Sequence, residues 1–242
     1  MLFALDAGNS FVKLAYHDGA AWQAPERIPL EAFADAVARL SAGPRPDGIV
    51  ISDVADARFR EPMLELLARW ERSALWVKAA SRACGVVNGY AAPEQLGSDR
   101  WAALVAARQL TSRAAVVAGV GTAATIDALD ADGRFLGGVI LPGIALMQQA
   151  LQQGTAGIRA IAGSYEAFPT NTANAVYTGA LLAVTGAVER MAASLERDAV
   201  VEVILTGGGA EAVAPLIRPA PRVIPNLVLE GLRCIAREEG VA

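Results

Sequence analysis

An aspartate, a glycine turn and a lysine stand close together near the start of the chain, in Asp6-Ala7-Gly8-Asn9-Ser10 followed by Lys13. Gly8 can take a positive φ and lets backbone approach a ligand closely, while Asn9 and Ser10 carry donors that phosphate oxygens accept. Lys13 adds a point charge. Asp6 ends an apolar run, Leu2 to Leu5, and can face a divalent ion, because magnesium takes one or two carboxylates together with phosphate oxygens. These are the parts of a nucleotide phosphate site, and equally the parts of an ordinary hairpin turn with a solvated lysine.

A second glycine turn, Gly119-Val120-Gly121-Thr122-Ala123-Ala124, fits the loose dinucleotide pattern G-x-G-x-x-A. That fingerprint needs a helix directly after its glycines, whereas Ala124-Thr125-Ile126-Asp127-Ala128-Leu129 alternates and enters a turn at Asp130 to Gly133, as a hairpin does. The Thr122 and Thr125 hydroxyls, with the amides around Gly121, suit a phosphate loop instead; the alternative is a β-branched hairpin whose threonines are satisfied internally. Gly207-Gly208-Gly209 follows the apolar strand Val203-Ile204-Leu205 and precedes a helical stretch. A phosphate, adenine or ribose can lie against such backbone, or the glycines simply turn a strand into a helix. Gly97-Ser98-Asp99-Arg100 opens a helix after a long loop. Asp99 suits the helix dipole with no further role; with Arg100 it also supplies a base for a hydroxyl and a fork for a carboxylate.

Other chemistry is excluded. No G-x-x-x-x-G-K-[ST] phosphate loop occurs. His17 is the single histidine and reads as a surface turn residue beside Asp18-Gly19, which rules out histidine-dependent triads and histidine-rich zinc sites. Cys84 and Cys234, far apart in sequence, read as small buried hydrophobes in a reducing compartment. Trp22, Trp70, Trp76 and Trp101 are scattered and suit core or interface packing. A net charge of -4 without a basic cluster argues against a nucleic-acid partner. Hydrophobic residues make up 54% and charged ones 19%, so a large core and a surface suited to subunit contacts are expected. With no secretory signal pattern and no run of about 18 apolar residues, the expected location is cytoplasmic, with no membrane partner.

Two α/β lobes, 1–112 and 113–242, have to position these residues. The first opens with strand, glycine turn and strand. Leu30 to Leu40 then has helical spacing, Gly48 to Ser52 is a short β-branched strand, Phe59 to Trp70 a helix, Leu75 to Val77 a strand, and Ser98 to Leu110 an amphipathic helix capped by Ser98. The second opens with Ala114 to Ala118, the hairpin through Asp127 and a strand from Arg134 to Leu141. Helices follow over Gly143 to Gln153 and Asn174 to Leu195, then a buried strand from Val200 to Leu205 and two helices flanking Arg222 to Ile224. Each lobe begins as a β-meander and continues as alternating helices and strands, so the architecture repeats and ligands are expected in a cleft between the halves.

With these segments in order, the chain resembles the type III pantothenate kinases of the acetate kinase, sugar kinase, Hsp70 and actin superfamily. Asp6 to Ser10 with Lys13 is similar to that family's first phosphate motif, and Asn88-Gly89-Tyr90, Pro93 and Gln95-Leu96-Gly97-Ser98-Asp99-Arg100 to its pantothenate segment. Gly121 to Asp127, with Gly137-Gly138 and Pro142-Gly143, is similar to its second phosphate region; Asn171-Thr172, Asn174-Ala175, Gly179 and Thr206 to Gly209 complete the series. The resemblance implies two ribonuclease H-like lobes, each a mixed sheet with flanking helices. It implies phosphorylation of the terminal hydroxyl of pantothenate by ATP with Mg2+, giving 4'-phosphopantothenate, the first step of coenzyme A biosynthesis. Asp99 is then the general base, with Tyr90, Gly97, Ser98, Asp99, Arg100 and Thr172 as substrate contacts. Asp6, Ala7, Gly8, Asn9, Ser10, Lys13, Gly121, Thr122, Thr125, Gly207 and Gly208 surround ATP. Asp6, directly or indirectly, and Asp127 are the metal residues. A homodimer is also implied.

Two residues depart from the family pattern. Ser10 stands where threonine is common and keeps the hydroxyl. Gly119 stands where many members carry an aspartate that helps hold a monovalent cation, K+ or NH4+, and glycine supplies no such ligand. That departure keeps a second reading open: a catalytically weak nucleotide- or pantothenate-binding regulatory protein on the same scaffold. A sugar or acyl kinase of the superfamily fits the Gly97-Ser98-Asp99-Arg100 loop less well.

Overall fold

In a computed structural model, which describes residues 1–159, 162–195 and 200–241, the chain divides into two units. One is Met1–Leu110 with Leu227–Ala242, the other Thr111–Asn226.

The first unit is built on β1 (Leu2–Ala7), β2 (Phe11–His17), β3 (Trp22–Pro29), β4 (Gly48–Asp53) and β5 (Leu75–Trp76), in the order β3-β2-β1-β4-β5. β1 to β3 form an antiparallel meander, while β4 runs parallel to β1 and β5 parallel to β4. Both faces of β1 are covered, which is why Leu2 to Leu5 is continuously apolar rather than alternating. On one face Phe3 and Leu5 pack with Phe33, Val37 and Leu40 of α1 (Phe33–Ser41) and Phe59, Met63 and Leu66 of α2 (Ala57–Trp70). α3 (Ser98–Leu110) and α7 (Leu227–Glu238) also lie against the sheet, and against each other. Their approach is close: a Cβ built on Gly231 would fall 1.8 Å from the Ala102 carbonyl oxygen. Between α2 and α3, the short strands β6 (Arg82–Ala83) and β7 (Val86–Asn88) pair as a hairpin turned by Cys84 and Gly85, both at positive φ.

The second unit repeats the plan. β8 (Ala115–Val120), β9 (Ala123–Leu129), β10 (Arg134–Pro142), β11 (Glu202–Thr206) and β12 (Arg222–Val223) run in the order β10-β9-β8-β11-β12, with the same pattern of antiparallel meander and parallel partners. Its core joins Val116, Ala118, Ile126 and Leu205 to Leu181, Val184 and Val188 of α5 (Thr172–Leu195). α4 (Ile144–Gly154) and the single turn α6 (Ala210–Val213) complete it. Among the described residues no helix is long and apolar enough to cross a membrane.

Several sequence expectations change. β3 is not expected from its sequence, because Pro25 and Pro29 and its charged residues argue against a strand; an edge position is where such a strand is tolerated. α7, assigned by sequence to the 113–242 lobe, belongs to the first unit. His17 is only 8% exposed: its ring packs edge-on against Trp22 at 4.9 Å and its Nδ1 accepts from the Gly19 amide at 3.1 Å. The two cysteines are half-buried rather than core residues, and the Cys84 thiol donates to Glu238 Oε2 at 3.4 Å.

Because the Gly231 contact leaves no space for a methyl group, Gly231→Ala has to separate α3 from α7. Overpacking of this kind costs about 1–3 kcal/mol. Thermal denaturation of the variant should show a midpoint several degrees lower; an unchanged midpoint contradicts the close helix contact.

Candidate functional site

In the first unit, the strand register sets a polar row across the sheet. Asp6 on β1 stands opposite Lys13 on β2 and opposite Ser52 on β4, and residues paired in register share a face. The Gly8 amide donates to the Phe11 carbonyl at 3.0 Å and closes the turn between β1 and β2. Asn9 is exposed and Ser10 half-buried on that turn, whereas Ala7 is buried and its carbonyl accepts from the Val54 amide at 3.0 Å.

α3 delivers the second group. Its first residue, Ser98, is buried, with its Oγ 3.0 Å from Ser52 Oγ and accepting from the Asp53 amide at 3.2 Å. The Ser98 hydroxyl is therefore engaged within the protein rather than turned to a ligand. Asp99 Oδ1 accepts from the Arg100 amide at 2.8 Å. Gly97 makes this pose available, since a Cβ there would lie 2.6 Å from the same Oδ1. Arg100, 7% exposed, donates from Nη1 to the Tyr90 hydroxyl at 3.2 Å. Tyr90 is held in turn by Asn88, whose Oδ1 accepts from the Tyr90 amide at 3.0 Å and whose Nδ2 donates to the Pro93 carbonyl at 3.2 Å.

Burial dominates the electrostatics. It pushes the Asp6 pKa up to about 7, reinforced by the charge of Asp99 and opposed by Lys13 and Ser52. Burial raises Asp99 as well, against the Arg100 amide and guanidinium, and lowers Lys13 against the attraction of Asp6. Asp6 Oδ1 is buried with no hydrogen-bond partner among the described residues. An enclosed carboxylate oxygen left unpaired suits a divalent ion or a water bound to one. Among the described residues no group of three or more His, Cys, Asp or Glu could hold a metal. That donor set fits magnesium, which keeps waters and phosphate oxygens as its other ligands.

In the second unit, three glycine segments converge on the end of β8. Gly121 donates to the Ala123 carbonyl at 3.0 Å, and Gly143 to the Thr122 carbonyl at 2.8 Å, so closely that a Cβ on Gly143 would lie 2.0 Å from the Gly121 oxygen. Gly207, at φ +93°, would bring a Cβ within 2.4 Å of the Val120 carbonyl oxygen, which accepts from the Gly209 amide at 2.9 Å. Gly121, Thr122 and Gly208 are exposed on this cluster. Thr125 is half-buried, and a Cβ on Gly119 would fall 3.0 Å from its Oγ1. Asp127 lies elsewhere: it is 2% exposed in mid-strand, paired with Val117 and Gly138, and five residues of roughly 3.3 Å each separate it from Thr122. Thr172 is exposed at the start of α5 and lines an apolar groove of ≈ 860 Å³ with Met147, Leu151 and Pro169.

Two residues of the first site have no assigned role in the sequence reading. Ser52 looks like a strand terminus, and its only signal is a hydroxyl ending the apolar run Ile49-Val50-Ile51. Asn88 lies in the substrate-like segment, but its hold on Tyr90 is visible only in the structure.

Comparison with known families places the chain. The family profile for type III pantothenate kinase matches residues 2–194. The chain belongs to the type III pantothenate kinase family. A type III pantothenate kinase of Nitrosospira multiformis is 42% identical over 246 residues, covering 98% of this chain and 92% of that protein. One from Dechloromonas aromatica is 43% identical over 237 residues, covering 98% and 99%. Among solved structures, a Baf family protein of Campylobacter jejuni aligns with TM-score 0.65 at 21% identity, covering 98% of each chain. The polyphosphate/ATP-glucomannokinase of Arthrobacter sp. strain KM aligns with TM-score 0.50 at 16% identity, again covering 98% of each. These likenesses show the fold.

Two outcomes follow from this geometry. Gly97→Ala must displace the Asp99 carboxylate while touching little else, and misplacement of a reacting group by about 1 Å can cost on the order of 100-fold in rate. The expected kcat loss is of that size, with a near-native melting midpoint; retained turnover contradicts the Asp99 pose. Folding raises the Asp6 pKa from 3.8 to about 7, so its contribution to stability is fully present below 3.8 and lost as pH rises through about 7. Asp6→Asn should therefore raise the ligand-free melting midpoint at pH 8 and leave it nearly unchanged at pH 3.5. A lower midpoint at pH 8 contradicts the buried-charge account.

Proposed function

We propose that this protein is a pantothenate kinase, transferring the γ-phosphoryl group of ATP to the terminal hydroxyl of pantothenate. The observation that carries the reading is Asp99, posed by Gly97 and raised above the usual carboxylate range, beside the Arg100–Tyr90 pair. A carboxylate tuned this way accepts a hydroxyl proton, and a guanidinium with a phenol beside it holds a substrate carboxylate.

Phosphoryl transfer needs alignment and charge neutralisation more than covalent help. Asp99 takes the proton as the hydroxyl oxygen bonds to the γ-phosphorus and the bond from that phosphorus to ADP breaks. Lys13 and the amides of the Gly8 turn bind phosphate oxygens in the first unit, while Thr122 and the amides of the Gly121 turn do so in the second. Gly207 and Gly208 offer bare backbone to the nucleoside. Asp6 would hold Mg2+, which would supply charge neutralisation to the phosphates. Asp127 is not assigned to it, being buried in mid-strand.

The protein acts as a homodimer in this reading, supported by exposed apolar residues on the second unit, among them Ile140, Leu151 and Phe168. A reaction that consumes ATP fits a cytoplasmic location. Gly119 contributes no carboxylate to a monovalent-cation site, so a comparison of sodium and potassium buffers decides whether turnover uses K+ or NH4+.

The test is ADP formation by purified protein with and without pantothenate, in sodium and in potassium buffer. Pantothenate-dependent ADP is expected, and the ratio of rates in the two buffers reports any monovalent-cation requirement; absence of ADP in both rejects the kinase, and binding of both ligands without turnover supports the regulatory alternative. Asp99→Asn should lose about 100-fold or more in kcat while calorimetry shows ATP still bound. Near-native turnover would move the base elsewhere.

A further inference from the structure

Two buried hydroxyls lie beside the carboxylates, and proton acceptance by Asp99 does not use them. Ser52 is completely enclosed and Ser98 nearly so, their Oγ atoms 3.0 Å apart. β4 is otherwise apolar from Ile49 to Ile51, and a buried hydroxyl is costly unless it has a bond to make. Ser98 Oγ accepts from the Asp53 amide, which leaves its own proton to give. Ser52 stands opposite Asp6 in the β1–β4 register and favours its charged form. The contact between the two hydroxyls joins β4 to the start of α3, with either oxygen able to donate. The resulting chain joins the Asp53 amide, Ser98 and Ser52.

Resting on the roles of Asp6 and Asp99 given above, we propose that Ser52 and Ser98 are positioning residues that latch the N-terminus of α3 to β4, holding Asp99 in place relative to Asp6. Neither hydroxyl meets the substrate. The latch acts where α3 begins, one residue before Asp99, so a slip there moves the base directly. Gly97 then serves the pose of the Asp99 side chain, and the serine pair the position of its backbone.

The experiment compares Ser52→Ala, Ser98→Ala, the double variant and Ser98→Thr with Asp6→Asn and Asp99→Asn, reading kcat, both KM values and the melting midpoint. Each serine-to-alanine change should lower kcat about tenfold, as loss of alignment does, with KM for pantothenate and ATP within about twofold of native. The double variant should be no worse than about either single one, because the two hydroxyls act in one chain. Ser98→Thr, which keeps the hydroxyl, should recover most of kcat. Native kcat in the serine variants, with both aspartate variants inactive, overturns the latch alone. Active aspartate variants overturn the underlying reading. A raised pantothenate KM at native kcat in Ser98→Ala makes Ser98 a substrate contact and overturns the latch, as does a multiplicative double variant. Should Ser52→Ala fail to fold, the Ser98→Ala and Ser98→Thr pair decides by the same kcat criterion.

Discussion

Burial makes the Asp6 and Asp99 carboxyls of the first unit hard to ionise, the charge of Asp99 adds to that cost at Asp6, and the surrounding residues offset it. Two carboxylates drawn from water near each other each become harder to ionise. Lys13 answers one of them from the neighbouring strand, the Arg100 amide and guanidinium answer the other, and Ser52 stands between strand and helix. None of these groups is placed independently. The β1–β2 and β1–β4 registers put Lys13 and Ser52 beside Asp6, and the close packing of α3 on α7 at Gly231 supports the helix that carries Asp99. A single polar row therefore depends on strand register, helix start and helix packing at once.

The repeated sheet order gives the two units different uses of one plan. In each, a central first strand ends in a glycine-containing turn toward an antiparallel partner, with parallel strands on its other side. The first unit puts charge at that end, in Asp6 and Lys13. The second puts bare backbone there, with Gly121, Gly143 and Gly207 packed too closely for side chains.

Local chemistry was legible in the sequence, whereas long-range consequences were not. The glycine turns and the start of α3 at Ser98 declare themselves because glycine and helical spacing act over a few positions, although the Ser98 hydroxyl bonds Ser52 and the Asp53 amide rather than capping the helix. β3 was hidden because its prolines argue against a strand, and only an edge position in the finished sheet reconciles them. The return of α7 to the first unit rests on packing between residues more than a hundred positions apart, as Gly231 and Ala102 illustrate. At the site, Asp99 and Arg100 could be named from residue type and spacing. The latch could not, because Ser52 gains its meaning only from register with Asp6 and contact with Ser98. Asp127 continues a recognisable motif, and the strand carries it to a buried mid-strand position.

The central claim is that Asp6 and Asp99 share one enclosed electrostatic environment, and carboxyl-carbon NMR of the ligand-free protein tests it most directly. With the Asp6 resonance assigned by its loss in Asp6→Asn, the account predicts a titration midpoint of about 7 that falls when Asp99 is replaced by asparagine. A midpoint close to 3.8, unchanged by Asp99→Asn, would contradict it.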